Sequence, residues 1–384
     1  MSNSPCQSDH DLTTQPLDIF GLTSEELQAA AQFVLPVGHG ISTTLYPQVM
    51  REGRFAPHAF PVRASTVSAW NTHFFCRLLE VAQHHEEETT SGITAKAVFR
   101  THDGYEIEAV RIPMHLTADG HMEHTICVSS QVGCKMGCTF CETGRMGLLR
   151  NLTAGEIVAQ VVTARSVLGW EPKNIVFMGI GEALDNVENV IQALRVLTDR
   201  RGLHYSQERI TVCTSGHAAG IARLAELGWK RLNLSLSLNG GTDDVRSRIM
   251  PVNRKTPLAE LQRILAAYPQ RRNFTLGVNY CLLPGLNDTR QDATHVARFC
   301  APLGRVLLNL IPYNPGNLPL TRAPHEAEID TFIGWLREEG LPVRRRVTKG
   351  RTIMAACGQL GNVELRKKPA VKALAPANDM TAQL

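Results

Sequence analysis

The sequence predicts an α/β chain in which a parallel sheet with right-handed crossovers follows a small α+β module. From residue 125 onward, short apolar strand-like runs alternate with helical stretches. Ahead of that region the hydrophobic period changes from helical to two around His102-Asp103-Gly104, a tight-turn signal. The 384 residues suffice for one large core with flanking modules, and 43% hydrophobic and 20% charged residues are ordinary for a globular protein.

Residues 1–16 are polar and mixed in charge and read as a disordered N-terminus, neither a secretory signal nor a transit peptide. Thr23 and Glu26 have capping-box spacing and open a short helix. A second helix is expected over 65–83, where Trp70, Phe74, Leu78 and Val81 recur at helical intervals. His84-His85-Glu86-Glu87-Glu88 closes it as a solvated acidic end rather than a metal site. The runs 95–101 and 105–112 then form a β-hairpin, so 17–112 make an α+β accessory module.

In the main region strands are expected at 125–129, 174–178, 209–214, 231–237, 274–283 and 305–311. Helices are expected at 153–168, 187–200, 217–227, 257–267 and 288–302, the first capped by Thr153 with Glu156. Such a sheet is either barrel-like or doubly wound, and periodicity does not choose between them. A seventh pair follows at 325–339 and 342–347. The core is bounded at 113–360, and 361–384 read as a basic, flexible tail.

No stretch approaches the roughly 20 apolar residues a membrane span needs, so a cytoplasmic protein without membrane contact is expected. The net charge of +4 permits an RNA partner without demanding one. Ten cysteines in a chain of this length without an export signal point to metal or redox chemistry rather than a disulfide scaffold.

The strongest motif is Cys134-Lys135-Met136-Gly137-Cys138-Thr139-Phe140-Cys141, three cysteines in eight residues between a strand and a helix. Thiolates are the ligands of iron–sulfur clusters, whereas structural zinc wants a fourth ligand and usually paired knuckles. The C-x3-C-x2-C spacing leaves one iron without a cysteine, open to a chelating substrate. A second motif, Met178-Gly179-Ile180-Gly181-Glu182, ends the second strand. Its glycines allow close backbone approach to a ligand, and Glu182 can accept hydrogen bonds from an ammonium.

The cysteine spacing resembles the signature of the radical S-adenosylmethionine (SAM) superfamily, and Phe140 fits it. A narrower resemblance, to the RlmN/Cfr family, runs from about Glu106 to Leu360. Its blocks are the segment from Cys127 to Cys134, Met178 to Glu182, Met250-Pro251-Val252-Asn253, Leu283 to Asp288, Tyr313-Asn314-Pro315, and Ala355-Ala356-Cys357-Gly358-Gln359-Leu360. The resemblance implies a partial (β/α)6 radical SAM barrel, a [4Fe–4S] cluster on Cys134, Cys138 and Cys141, and SAM on its open iron. It implies methylation of adenine carbon 2 or carbon 8 in ribosomal RNA, and for the RlmN type in transfer RNA. It also implies a monomer served by an electron donor such as a flavodoxin-type protein.

In that family an aromatic C–H without usable acidity is attacked by a radical route. The resemblance implies that one SAM methylates Cys357 and a second yields an adenosyl radical that takes hydrogen from the S-methyl group. The methylene radical joins the adenine carbon, and Cys127 attacks Cys357 to release the methylated base and leave a disulfide. Glu108 matches the glutamate that removes the ring proton. The family's SAM contacts fall on Gly181, Glu182, Cys213, Ser237, Leu238, Asn239 and Asn314. Six positions depart from the family pattern: Cys213 stands where serine is usual, with Ser215 as a substitute, and Asn239 stands where histidine is usual. Thr352-Ile353-Met354 replace acidic residues, and Ala183 follows Glu182 as in the Cfr type. These bear on the target carbon and the RNA.

Arg344-Arg345-Arg346, Lys349 and Arg351 precede Cys357, and Arg366-Lys367-Lys368 follow the core, a basic region suited to phosphates or simply solvated. The accessory module offers a second RNA-binding surface. The target base must lie in a loop or be flipped out. Two other readings stay open: a radical SAM enzyme of this lineage with another substrate, and a non-catalytic iron–sulfur protein that binds RNA or senses redox state.

Overall fold

The structure is a computed structural model and describes residues 15–269 and 271–361. All but two residues of the segment 1–16, and all of the tail beyond 361 with its Arg366-Lys367-Lys368, lie outside the described residues.

A ten-stranded mixed sheet organises the molecule. In chain order its strands are β1 (Glu80–Thr89), β2 (Gly92–Arg100), β3 (Glu106–Leu116), β4 (Met122–Cys127), β5 (Pro172–Phe177), β6 (Ile210–Thr214), β7 (Asn233–Ser237), β8 (Leu276–Leu282), β9 (Val306–Pro312) and β10 (Val343–Arg345). Spatial order equals chain order, from β1 at one edge to β10 at the other. β1 to β4 pair antiparallel, and every pair from β4 to β10 is parallel.

That order decides between barrel and doubly wound sheet. A doubly wound sheet reverses its strand order part-way. Here the parallel strands advance in one direction, with helices Ala154–Ser166, Val187–Thr198, Ala218–Ala225, Leu258–Ala266, Arg290–Cys300 and Glu326–Glu338 between them. Among the described residues the edge strands β1 and β10 do not pair with each other, so the barrel is partial.

Local chemistry explains where these elements start. Thr23 and Thr153 each close a capping box with the glutamate three residues on, as their spacing predicts. The six expected strands and their helices are present with ends shifted by a few residues. The helix expected over 65–83 is not. A helix covers Ala64–His73, after which Phe74–Phe75 pair in parallel with Leu17–Asp18. The chain then becomes β1, so the His84 to Glu88 run lies in a strand rather than at a helix end. The physical reason is non-local: β1 registers residue by residue with β2 over nearly its whole length, and Leu79 N donates to Thr163 Oγ1 at 3.0 Å.

The accessory module shares its core with the barrel. Phe20, Leu27, Tyr46, Trp70 and Phe74 pack in one apolar cluster with Ile157, Val161, Leu194 and Leu197 of the first barrel helices. The boundary drawn after residue 112 falls inside β3, which pairs with β2 on one side and β4 on the other. No helix among the described residues is long and apolar enough to cross a membrane.

Candidate active site

The C-terminal ends of β5 to β9 open into one cavity, the usual ligand end of a parallel barrel. Its wall takes Met178, Gly179, Gly181 and Glu182 from beyond β5, Cys213 and Ser215 from β6 and its turn, and Ser237 and Asn239 from β7 and its turn. Asn279 and Cys281 of β8 and Tyr313 beyond β9 continue it. Cys134, Cys138 and Cys141 close one side, and Cys357 and Gly358 project into it from the C-terminal loop.

The cysteine loop begins as a short strand, Gln131–Cys134, paired antiparallel with Gly147–Asn151. It is tied down from two directions. Thr139 N donates to Ile249 O at 3.0 Å on one side, and Glu142 N donates to Gly358 O at 2.9 Å on the other. Burial pushes the Cys134 thiol up to about 12. Burial and then the neighbouring Cys141 and Cys134 raise Cys138 well above the ordinary thiol value. Three such thiols cannot ionise together without a cationic group to bind them. A single zinc would draw thiolates to about 2.3 Å, hence within roughly 4 Å of one another. Among the described residues only His102, Asp103 and Glu156 bring three ligand atoms within 4.8 Å, so the three sulfurs stand too far apart for one ion and suit a larger cluster. Arg150 already bridges Asp103 and Glu156 at 2.6 to 2.8 Å, which leaves that second group without the character of a metal site.

Glu182 is buried, and its carboxylate accepts from Leu184 N at 3.2 Å and Ser215 N at 2.8 Å. Among the described residues no basic side chain lies within 4.0 Å of it, which leaves room for a ligand's ammonium. The two glycines before it serve packing more than ligand approach. A Cβ at Gly179 would lie 2.7 Å from the Val128 carbonyl, and one at Gly181 (φ +107°) would lie 2.7 Å from Gln131 Cβ. The motif is therefore pressed against the strand that leads into the cysteine loop.

Cys213 Sγ accepts from Asn279 Nδ2 at 3.3 Å and lies 3.6 Å from Ser237 Oγ. The Ser215 hydroxyl beside it is buried and makes no hydrogen bond within the protein, so a polar atom is free at the position proposed to substitute for Cys213. Asn239 adopts φ +56°, a left-handed conformation that asparagine tolerates. Its side chain is engaged, accepting from Cys281 N at 2.8 Å, and its carbonyl accepts from Asn287 Nδ2 at 2.8 Å. Of the remaining expected SAM contacts, Leu238 is wholly buried and Asn314 Nδ2 reaches Cys357 O at 3.5 Å; neither side chain lines the cavity.

Cys357 opens onto the cavity, yet the surrounding protein pushes its thiol up to about 11 by burial. Cys127 ends β4 in an apolar cluster with Val110, Ile180, Ala355 and Leu360. Burial first, and then the Cys357 sulfur, raise its thiol far above the ordinary range, so the two sulfurs sense each other. Glu108 lines an adjoining cavity with Lys96, Glu106, Asn317 and Gln359. It pairs with Lys96 Nζ at 3.2 Å and accepts from Gly361 N at 2.7 Å, at the end of the Cys357 loop.

Residues 128–300 match the Radical SAM superfamily. A solved radical SAM methyltransferase from Sphaerobacter thermophilus superposes with a TM-score of 0.79 at 35% identity, covering 90% of this chain and 99% of that one. The probable dual-specificity RNA methyltransferase RlmN 1 of Protochlamydia amoebophila is 39% identical over 92% of this chain and 97% of its own length. The chain belongs to the RlmN family of radical SAM methyltransferases. A probable RNA methyltransferase of Rhodopseudomonas palustris, 37% identical over 91% of this chain and 90% of its own, extends the same likeness.

Radical SAM enzymes of the RlmN family use a [4Fe–4S] cluster and SAM, and the donor set described above fits both. The sequence did not single out Asn279, Cys281 or Arg246 as site residues. The first two sit at alternate positions near the C-terminal end of one predicted strand, β8, where ligand-facing residues of a parallel sheet are expected. Arg246 carries no motif of its own, and only the fold brings it behind the cavity, against the Ser215 and Leu238 carbonyls.

Proposed function

We propose that this chain is a cytoplasmic RNA methyltransferase that adds a methyl group to carbon 2 of adenine in ribosomal and transfer RNA, through an S-methylated Cys357. The observation that carries the reading is the double attachment of the Cys357 loop to the cysteine loop. Glu142 N donates to Gly358 O at 2.9 Å, and Thr143 Oγ1 donates to Leu360 O at 2.6 Å. A thiol held over the same cavity as the three cluster cysteines is placed to meet a ligand bound there, which favours catalysis over RNA binding alone.

Bound in this cavity, the cluster and SAM supply the methyl group and the one-electron chemistry that activates it; Cys134, Cys138 and Cys141 hold the former and Glu182 the SAM ammonium. The protein's own residues do the rest. Cys357 presents its methylated sulfur to the adenine ring and becomes joined to the ring carbon through that methylene. Glu108 accepts the ring proton, with Lys96 stabilising its charged form. Cys127, as thiolate, attacks the Cys357 sulfur, so an S–S bond forms as the S–CH2 bond breaks; the methylene carbon leaves with the bond pair and takes a proton to become the methyl group, and the adduct's unpaired electron passes back to the one-electron carrier. The raised thiol of Cys127 keeps it protonated, and so inert, until a base draws its proton. The family resemblance assigns carbon 2 to the RlmN type and carbon 8 to the Cfr type, so the likeness to RlmN-named relatives supports carbon 2. A one-electron donor of the flavodoxin type and a monomeric state complete the reading.

Peptide mass spectrometry of anaerobically purified holoprotein, paired with nucleoside analysis of RNA from cells with and without the gene, tests it. An S-methyl group on Cys357 together with gene-dependent 2-methyladenosine is expected. An unmodified Cys357 in cluster-replete protein that cleaves SAM would sink the methylcysteine route.

A further inference from the structure

Arg246 takes no part in the chemistry above, yet it lies wholly inside the protein, 0% exposed. It projects from the helix Asp243–Ile249, and every hydrogen bond it makes goes to a neutral oxygen. Nε donates to Leu238 O at 2.9 Å, Nη1 to Asn253 Oδ1 at 2.8 Å, and Nη2 to Ser215 O at 2.5 Å and Ser237 O at 3.3 Å. Among the described residues no carboxylate comes within 4.0 Å of it. Burial lowers its pKa to about 10, which still leaves it cationic at neutral pH. Asp243 and Glu182 lie near enough for their charges to act on it but neither touches it, and a buried charge with no carboxylate in contact is costly unless further anionic charge arrives with a ligand.

The geometry shows where that anion belongs. Ser215 in the turn beyond β6 and Ser237 at the end of β7 line the cavity, Leu238 follows behind it, and Ser215 N is also the donor that orients Glu182. The helix bearing Arg246 is pinned to the cysteine loop by the Thr139 N to Ile249 O bond of 3.0 Å. The guanidinium lies close enough to Cys138 for their charges to interact. Space is kept for it at Gly216 (φ +99°), where a Cβ would come within 3.2 Å of Arg246 Nη2.

We propose that Arg246 is a positioning residue: its charge is the built-in counter-ion of the cluster and its thiolates, and its planar fork holds the two SAM-facing turns together. Three thiolates outweigh the charge of the iron–sulfur core, and reduction adds a further negative charge. A buried cation therefore stabilises the reduced form more than the oxidised form and raises the reduction potential. The inference rests on the family's cofactors and not on the Cys357 route, so either can fail alone.

The test uses full-length holoprotein of matched iron and sulfide content, as wild type, Arg246→Met and Arg246→Lys. Midpoint potentials come from redox titration followed by electron paramagnetic resonance, and SAM affinity from equilibrium dialysis. Arg246→Met is expected to shift the midpoint to more negative potential and to weaken SAM binding about tenfold. Arg246→Lys is expected to restore the potential, because the charge returns, but not the affinity, because an ammonium lacks the planar fork. A cluster-replete Arg246→Met with wild-type potential overturns the proposal, and so does an Arg246→Lys potential as negative as that of Arg246→Met. If Arg246→Met does not fold, Arg246→Lys decides: wild-type potential with weakened SAM binding supports the proposal, and wild-type SAM affinity or a fallen potential overturns it.

Discussion

Cys213 shows how one side chain was legible as a position but not as a contact. Its place at the end of β6 follows from the strand pattern, whereas its partners Asn279 and Ser237 come from two other strands. Sulfur accepts hydrogen bonds weakly. Cys213→Ser is expected to keep the fold and tighten SAM binding by about two- to fivefold, roughly 0.5–1 kcal/mol, in equilibrium dialysis. Glu87 shows the opposite case, a residue dismissed as a solvated charge that proves to anchor the Cys357 loop. Its carboxylate accepts from Gly350 N at 2.8 Å and Thr352 N at 2.7 Å, and from the Thr352 hydroxyl. Partial burial alone would raise its pKa, but the Thr352 hydroxyl and these backbone donors more than offset that and hold it below the usual range. The anchor is therefore complete above the unfolded carboxyl value of about 4.3 and is lost as pH falls through the lower folded value. Hydrogen-exchange protection of 350–352 is expected to drop on acidification in the wild type and to be weaker and flat in Glu87→Gln.

Among the elements, those governed by local chemistry were legible and those governed by partners were not. Both capping boxes started helices where their spacing places them. The 65–83 segment carried a helical period as far as Val81, yet pairing of Phe74–Phe75 with Leu17–Asp18 and of β1 with β2 overrode it. The Met178 to Glu182 turn was read as a ligand-approach motif, and the structure adds a packing reason for its glycines. Gly179→Ala is expected to cost about 1–3 kcal/mol, because the added methyl meets Val128 backbone that cannot move aside. Chemical denaturation of the apoprotein reads this directly. An unchanged midpoint would return the glycine to a purely ligand-facing role.

At the scale of the molecule, the antiparallel strands β1 to β3 extend the barrel sheet on the side where Glu108 and Lys96 lie, so module and barrel share one sheet and one core. The basic region before Cys357 is divided in its duties. Arg345 is bound to Glu326 at 2.5 and 2.8 Å, and Lys349 donates to Pro113 O. Arg344 and Arg351 are exposed and suit phosphates. Charge reversal of either, Arg344→Glu or Arg351→Glu, is expected to weaken RNA binding uniformly across sequences. Each is also expected to lower the slope of log affinity against log salt by about 1 in a salt titration. Unchanged slopes for both would remove this strand from the RNA surface.

The sequence by itself determined the alternation of strands and helices, the cluster loop and the family, because each is written in short-range spacing of residue types. Periodicity left barrel and doubly wound sheet open and only the family resemblance pointed to a partial barrel; the tertiary structure shows it directly in the strand order, a long-range property that periodicity does not encode. The tertiary structure alone set Glu108 in an adjoining cavity with Lys96, 12 residues away in sequence but facing it across two paired strands. It also buried Arg246 with no carboxylate in contact, against the turns after β6 and β7, a placement that depends on carbonyls from two different strand ends.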